Sequence, residues 1–409
     1  MKCLAPWHSI LVRFNGDIVP DGVYLKRYGN VLQTPLNDLL NSYTASHTRD
    51  SIRSGVLPPE CEQCALKEAS VGHSRRKFFE DILNPMVKDK GYDYSKDFTD
   101  IYFLEFNMSN ICNLKCRMCN PLDSTQWKDW NSIVHHYKAE NNYLVDAVEK
   151  LGLTEAPYVG LFDDSPNWWE SFEKLLPHFR RVEFAGGEPL MDPMHYKILD
   201  MLAPYGDNIE IKYATNGTVL GIKGGRTIHD YWPKFKSVAV NVSIDGLWDT
   251  YEYIRSGGNF NEVVKNIKEI KKIPNVSRVV GAFTVQANNI LQTPKVIEYF
   301  LNDLEIVFYS HRVQYPRVLS AQVLPNQLKQ DVIRQLSNMY TKVDNYKLVQ
   351  KHPILKKITK QQITDNINFL EAKDLSEYWP DCILFNKTLD TERKQGPFDK
   401  INPEFTNYV

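Results

Sequence analysis

The chemistry-bearing residues of this chain are its cysteines. There are seven: Cys3, Cys61, Cys64, Cys112, Cys116, Cys119 and Cys382. Five fall in two tight groups, Cys61-x2-Cys64 and Cys112-x3-Cys116-x2-Cys119. Thiolates this close on a short segment can converge on one metal centre, because the thiolate is the ligating form. The second group, in ICNLKCRMCN, offers three thiolates and no further donor in the next three residues, where Asn120 and Pro121 come first. A structural zinc site is closed by four ligands. A four-iron cluster usually takes four cysteines, so three leave one iron open to an exogenous molecule. A zinc or scaffold loop completed by a distant residue is the other reading of the same spacing. An odd cysteine count and an opening, MKCLAPWHSI, that makes a poor signal peptide argue against a disulfide framework and for a cytoplasmic protein.

Apolar runs must position these groups. Strands are expected over 101–108, 181–185, 209–214, 237–243, 277–285 and 305–313, with helical patterns between them at 191–202 and 260–271. Such alternation predicts parallel strands covered by helices. Each candidate group follows one of these strands. The Cys112 loop follows the first, Gly186-Gly187-Glu188-Pro189 the second, Asn216 the third, Asp245 the fourth and Gln286 the fifth. In barrel-like α/β folds functional groups gather at the C-terminal strand ends, so one shared mouth is expected.

With these residues in view, C-x3-C-x2-C after an apolar strand resembles the cluster loop of radical S-adenosylmethionine (SAM) enzymes. Met118 stands where that family often has an aromatic residue. The resemblance implies an α/β fold with a partial (β/α)6 barrel and a [4Fe-4S] cluster on Cys112, Cys116 and Cys119. It also implies reductive cleavage of SAM to methionine and a 5′-deoxyadenosyl radical that abstracts hydrogen from a substrate. Gly186, Gly187 and Glu188 resemble the family's GGEP motif, which approaches SAM. Asn216 in TNG, and Ser243 and Asp245 in SIDG, resemble positions that hold the ribose and flanking polar groups. Arg255 in YIRSGG matches an arginine that would pair with the SAM carboxylate. An electron donor such as flavodoxin or ferredoxin is implied as a partner.

The first 70 residues carry a second pattern. HSILVRFNGDIVP, residues 8–20, alternates around Asn15-Gly16, a strong signal for a two-residue hairpin. Cys3 precedes it, and Cys61 and Cys64 follow a helix expected near 35–48. Together with Cys3-x2-Pro6-Trp7-x-Ser9, Gly16-Asp17-Ile18-x-Pro20 and Gly29-Asn30, this resembles the SPASM/twitch auxiliary module. The resemblance implies a second, auxiliary iron–sulfur cluster on Cys3, Cys61 and Cys64. Asp21 stands where a cysteine is frequent, and Asp21, Cys382 or an open iron could complete it. A zinc knuckle or a metal-free module remains the alternative. The expected organisation is the module at 1–72, a helical linker at 73–99, the barrel at 100–320 and a mixed, mostly helical extension at 321–409.

Other features have plainer readings. The basic run Gly72-His73-Ser74-Arg75-Arg76-Lys77 reads as a solvated helix start, and Lys351, Lys356, Lys357 and Lys360 as a solvated face. Trp127, Trp130, Trp168 and Trp169 read as packing residues. His135 and His136 do not share a helix face. Leu389-Asp390-Thr391-Glu392-Arg393 reads as an ordinary helix, and Cys382 as a buried free thiol. Lys plus Arg number 49 and Asp plus Glu 50. That balance gives no general attraction to nucleic acid or anionic lipid, and no apolar run approaches the ~18 residues of a membrane span. The expected function is a radical SAM enzyme acting on a peptide, with a small-molecule substrate as the alternative within the class. The alternative outside it is a non-catalytic, metal-stabilised binding protein, against which Gly186-Gly187-Glu188-Pro189, Asn216, Asp245 and Arg255 count.

Overall fold

The structure is a computed structural model. It describes residues 3–24, 26–71, 74–88, 100–107, 109–138, 142–153, 162, 165–313, 315–401 and 403–408. Gly72 and His73, Met108 at the end of the first expected strand, and 89–99 of the expected linker lie outside the described residues. Among those described, the strands are β1 (Ser9–Val12), β2 (Asp17–Val19), β3 (Gly29–Asn30), β4 (Phe103–Asn107), β5 (Lys115–Cys116), β6 (Arg181–Ala185), β7 (Glu210–Thr215), β8 (Ser237–Ser243), β9 (Arg255–Ser256), β10 (Val276–Val285) and β11 (Val307–Arg312). The chain divides into two compact units.

The first unit comprises Met1–Ser109, Val159–Ala214 and Gly221–Val238. Its central strands are parallel in the order β1-β4-β6-β7, with Ile10 opposite Leu104, Leu104 opposite Val182 and Val182 opposite Ile211. β2 and β3 extend the sheet antiparallel beyond β1. The N-terminal hairpin is thus built onto the same sheet as β4. Alternation along β4 sends its side chains to two layers. Phe103 meets Phe79 of the helix Arg75–Lys88, with ring centroids 5.1 Å apart. Phe106 meets Trp168 of the helix Pro166–Leu175 on the other face, at 5.4 Å. Trp168 is fully buried, as a packing residue should be, and Trp169 carries Lys197 over its ring.

The hairpin differs from the two-residue turn expected. Val12 pairs with Ile18, Arg13 N donates to Asp17 O at 3.0 Å, and Gly16 N donates to Arg13 O at 2.8 Å. The loop is therefore Phe14-Asn15-Gly16. Only Gly16 has a positive φ, +85°, whereas a type I′ turn needs a positive φ at both central residues. Asn15 instead accepts from Asp17 N through its side chain, at 3.1 Å.

The second unit comprises Asn110–Tyr158, Thr215–Leu220 and Ala239–Val409. Its strands run in the order β8-β10-β11, with β10 and β11 parallel from Val280 opposite Val307 to Val285 opposite Arg312. β8 alternates strictly, burying Val238, Val240 and Val242. The helix Phe260–Ile270 starts where expected because the Asn259 side chain accepts from Glu262 N at 3.0 Å. β5 and β9 form a separate two-stranded antiparallel ladder. Long helices follow, Asn326–Lys342, Ile354–Ala372 and Trp379–Arg393. Gln362 reaches from the second of these to accept from Ser310 N of β11 at 2.8 Å. Among the described residues, no helix is long and apolar enough to cross a membrane.

Candidate functional site

In the second unit, Cys112, Leu114 and Cys116 form one buried cluster, with Met118 and Cys119 packed against it. Cys116 lies in β5 directly opposite Arg255 in β9. The Arg255 guanidinium reaches Cys116 Sγ through Nη1, at 3.6 Å, and Asp245 Oδ2 through Nη2, at 2.7 Å. Asp245 is fully buried, and its other oxygen accepts from Thr284 N at 2.6 Å. Both of its oxygens are thus engaged. Arg255 Nε is buried with no hydrogen-bond partner. A hydrogen bond from Cys119 and the charge of Arg255 hold the Cys116 thiol low, whereas the same bond and burial raise Cys119.

Asn216 follows β7 and also meets this loop. Its Nδ2 donates to Asn113 Oδ1 at 2.9 Å and lies 3.8 Å from Cys112 Sγ. Its Oδ1 accepts from Thr218 N and Oγ1, at 2.9 and 2.6 Å. Cys112, Cys116, Cys119, Asn216, Asp245 and Arg255 are thus joined through direct contacts. Ser243 closes β8 and is half-buried. Gln286 is fully buried; its Nε2 lies 3.7 Å from Met118 Sδ, and its Oε1 has no partner.

The sequence reading missed what holds the cysteine loop from behind. Arg117, between the cysteines, is fully buried. It ion-pairs with Asp390, donates through Nη1 to Asn386 Oδ1 at 3.0 Å and through Nε to Tyr253 O at 3.1 Å. Arg393, one turn beyond Asp390, donates to Asp129 at 2.5 Å and to Lys115 O at 2.7 Å. The segment read as an ordinary helix is a clamp. The available signal was Asp390 and Arg393 at i, i+3, which place two opposite charges on one helix face. Cys382, on the same helix, is buried, and its Sγ accepts from Asn386 Nδ2 at 3.6 Å. His136 packs edge-on against Phe385.

The remaining candidates lie in the first unit. Gly186 follows β6 with φ +110°, and Gly187 N donates to Ser109 O at 2.9 Å. Glu188 is buried and caps the following turn, accepting from Leu190 N at 3.2 Å. Cys61 and Cys64 lie one turn apart at the start of the helix Glu62–Val71. Cys3 has Cys61, Cys64 and Asp21 as electrostatic neighbours, and Cys61 has Cys64, Glu60 and Asp21. Burial and these neighbours push Cys61 up to about 11 and Cys3 higher still. Asp21 Oδ1 accepts from Arg75 Nε at 3.0 Å and from Val23 N at 3.2 Å. Arg75 also donates to Glu105 Oε2 at 3.1 Å. Arg75 is therefore an internal bridge and not part of a solvated helix start, and Arg76 likewise pairs with Glu68. Among the described residues, no group of three or more His, Cys, Asp or Glu is set to hold a metal ion. A four-iron cluster binds each thiolate to its own iron, so its thiols stand farther apart than those around one ion.

Residues 106–293 match the model of the radical SAM superfamily. The chain is 24% identical over 173 residues to a GTP 3′,8-cyclase of Alkaliphilus oremlandii, covering 41% of this chain and 43% of that protein. It is 24% identical over 176 residues to a GTP 3′,8-cyclase of Petrotoga mobilis, covering 41% and 42%. The chain thus spans less than half the length of these relatives. Among solved structures, Streptococcus suis SuiB bound to its precursor peptide SuiA aligns with a TM-score of 0.34 at 14% identity, over 84% of this chain and 70% of that one. TYW1 with a lysine-pyruvate adduct aligns with a TM-score of 0.28 at 13% identity, over 60% and 72%. The similarity to the radical SAM superfamily thus covers residues 106–293, which carry the cysteine loop, Asn216, Asp245 and Arg255.

Proposed function

We propose that Cys112, Cys116 and Cys119 hold a [4Fe-4S] cluster that binds SAM, and that the enzyme abstracts hydrogen from a peptide or small-molecule substrate. One observation carries this reading: three thiols share one loop, two of them buried and the third packed against them, with a fixed guanidinium opposite the middle one. The donor set fits the group. Three soft thiolates suit iron, and a cation beside Cys116 offsets the negative charge that thiolate ligation brings. When bound on Cys112, Cys116 and Cys119, the cluster would supply the electron for reductive cleavage of SAM, the chemistry that makes hydrogen abstraction from a substrate available. The chain's own residues position and exclude. Asn216 orients Cys112, Asp245 aims Arg255, and burial keeps water from the sulfurs of Cys112 and Cys116, while Cys119 stays partly exposed. Arg255 Nε supports a role in receiving the SAM carboxylate, since it is a buried donor without a partner. Ser243, Gly186, Gly187 and Glu188 complete the proposed SAM contacts.

The partial (β/α)6 barrel, drawn from β4, β6, β7, β8, β10 and β11, is part of this proposal. So is an N-terminal SPASM/twitch-like module with a second iron–sulfur cluster on Cys3, Cys61 and Cys64. Asp21 can join those thiols only through Oδ2, because Arg75 and Val23 hold Oδ1. An electron donor such as flavodoxin or ferredoxin would supply the reducing equivalent.

The test is anaerobic reconstitution followed by iron, sulfide and 5′-deoxyadenosine assays. The wild type should hold about eight irons, as two four-iron clusters, and form 5′-deoxyadenosine with SAM and a reductant. The Cys112→Ala/Cys116→Ala/Cys119→Ala variant should keep about half the iron and form none. Deoxyadenosine from the triple variant would end the reading. About four irons in the wild type, with activity, would remove the auxiliary cluster alone.

A further inference from the structure

Beyond β10 and β11 the second unit folds back over its strand ends. Val313 N donates to Val285 O at 2.9 Å, and Ala287 N donates to Leu319 O at 2.8 Å. Between this turn and the end of the helix Ile354–Ala372 lies a cavity of about 630 Å³. That volume falls within the roughly 300–1,000 Å³ of small-molecule sites. Val313, Phe369 and Leu375 give it an apolar wall, with Tyr315 at the rim. Arg317 and Lys373 line it as well, and no Asp or Glu does among the described residues. Arg317 is held in place, donating to Tyr378 Oη at 3.0 Å with its guanidinium 5.1 Å from that ring's centroid. Asp374, beside Lys373, is turned away to Lys329 at 2.8 Å and Asn326 at 3.1 Å.

We propose that this cavity binds the substrate of the radical reaction, through a carboxylate or phosphate held by Arg317 and Lys373 and an apolar or aromatic body laid on Val313, Phe369 and Leu375. Naming the ligand a substrate rests on the function proposed above; the anion site itself does not. A guanidinium fork and an ammonium together match the oxygens of either anion. The position suits a substrate. The two backbone bonds that shape the wall attach to residues 285 and 287, on either side of Gln286, and Gln286 touches Met118 next to Cys119. The backbone bordering the cavity is thus tied to the segment that carries Gln286, the residue in contact with the cysteine loop.

The experiment uses full-length reconstituted protein and three probes of one shape: phenyl phosphate, 3-phenylpropionate and the neutral 3-phenylpropan-1-ol. Ligand-observed NMR reads their dissociation constants without any turnover. At least one anion should bind at least tenfold more tightly than the alcohol, and the Arg317→Gln/Lys373→Gln variant should lose that tenfold. Preference for phosphate points to a phosphorylated substrate, and preference for carboxylate to an acid. Equal binding of anions and alcohol, or unchanged anion binding in a variant that keeps the wild-type circular dichroism, overturns the proposal. Should the double variant not fold, Lys373→Gln alone must weaken the anion at least threefold, or the proposal falls. Deoxyadenosine formation is read separately, so failure of the anion site and failure of the SAM reading are told apart.

Discussion

Cys116 and Arg255 face each other across a two-residue antiparallel ladder, and the guanidinium beside the sulfur is anchored on the buried carboxylate of Asp245. Each charge therefore depends on the other. Arg255→Ala leaves Asp245 buried and unpaired, and Asp245→Ala leaves Arg255 so; each should cost about 3–5 kcal/mol. The double variant should cost clearly less than the sum, as expected for a coupled pair. Denaturant midpoints of the three variants give the coupling, and strict additivity would reject it. On the proposed cluster, loss of the cation also disfavours the more negative, reduced form. Potentiometric titration of Arg255→Ala should thus show a lower potential, whereas a higher one would place the guanidinium's influence elsewhere.

The clamp on the opposite side of the loop gives a second prediction. Arg117 is fully buried and its charge is met by Asp390. Asp390→Ala should destabilise the protein by about 3 kcal/mol, since an uncompensated buried charge remains. Asp390→Asn keeps an acceptor and should cost less. If the helix Trp379–Arg393 holds the loop in its ligating shape, Asp390→Ala will also reconstitute with less iron than wild type. Full iron content at an unchanged midpoint would make the clamp incidental.

That clamp also marks where sequence reading stops. The strands were legible because their signal is local. Val238, Val240 and Val242 alternate at the period of a strand, and Asn259 caps the helix that follows. The cysteine loop was legible for the same reason, since all three thiols lie within eight residues. Arg117 was not, because its carboxylate comes 273 residues later. Arg75 was misread for a similar reason. A cation at a helix start resembles a solvated one until Asp21 and Glu105, 54 and 30 residues away, arrive on either side of it. The hairpin was found but its loop was one residue too short, because Asn-Gly marks a turn without fixing where pairing resumes.

Gly217 offers a test of the Asn216 turn. Its φ is +71°, and a Cβ there would lie 2.6 Å from Val242 Cγ1. Gly217→Ala should therefore cost about 1–3 kcal/mol, from backbone strain and overpacking together. Adding Val242→Ala removes the clash but not the strain, so the pair should cost less than the sum of the two. Additive losses by thermal or denaturant unfolding would show that the valine does not set the limit.

His195 makes a pH prediction that involves none of the cysteines. It lies on the helix Pro193–Leu202, fully buried, with Nε2 2.7 Å from Tyr213 Oη and Nδ1 without a partner. Its ring packs edge-on against Phe184 and Tyr196. Burial lowers its pKa to about 3, from an ordinary value of 6.5. The folded chain therefore stays neutral there while the unfolded chain takes up a proton. Stability from this group is fully present above pH 6.5 and is lost as pH falls from 6.5 towards 3, by up to about 1.4 kcal/mol per pH unit. His195→Gln can keep a polar contact to Tyr213 but has no such proton to exclude. Between pH 7.5 and 5.5, its loss of stability should be smaller than that of the wild type by about 1.4 kcal/mol, measured from denaturant midpoints. Parallel pH curves would mean that His195 is protonated in the folded protein, which requires a carboxylate or water to reach Nδ1 inside this aromatic cluster.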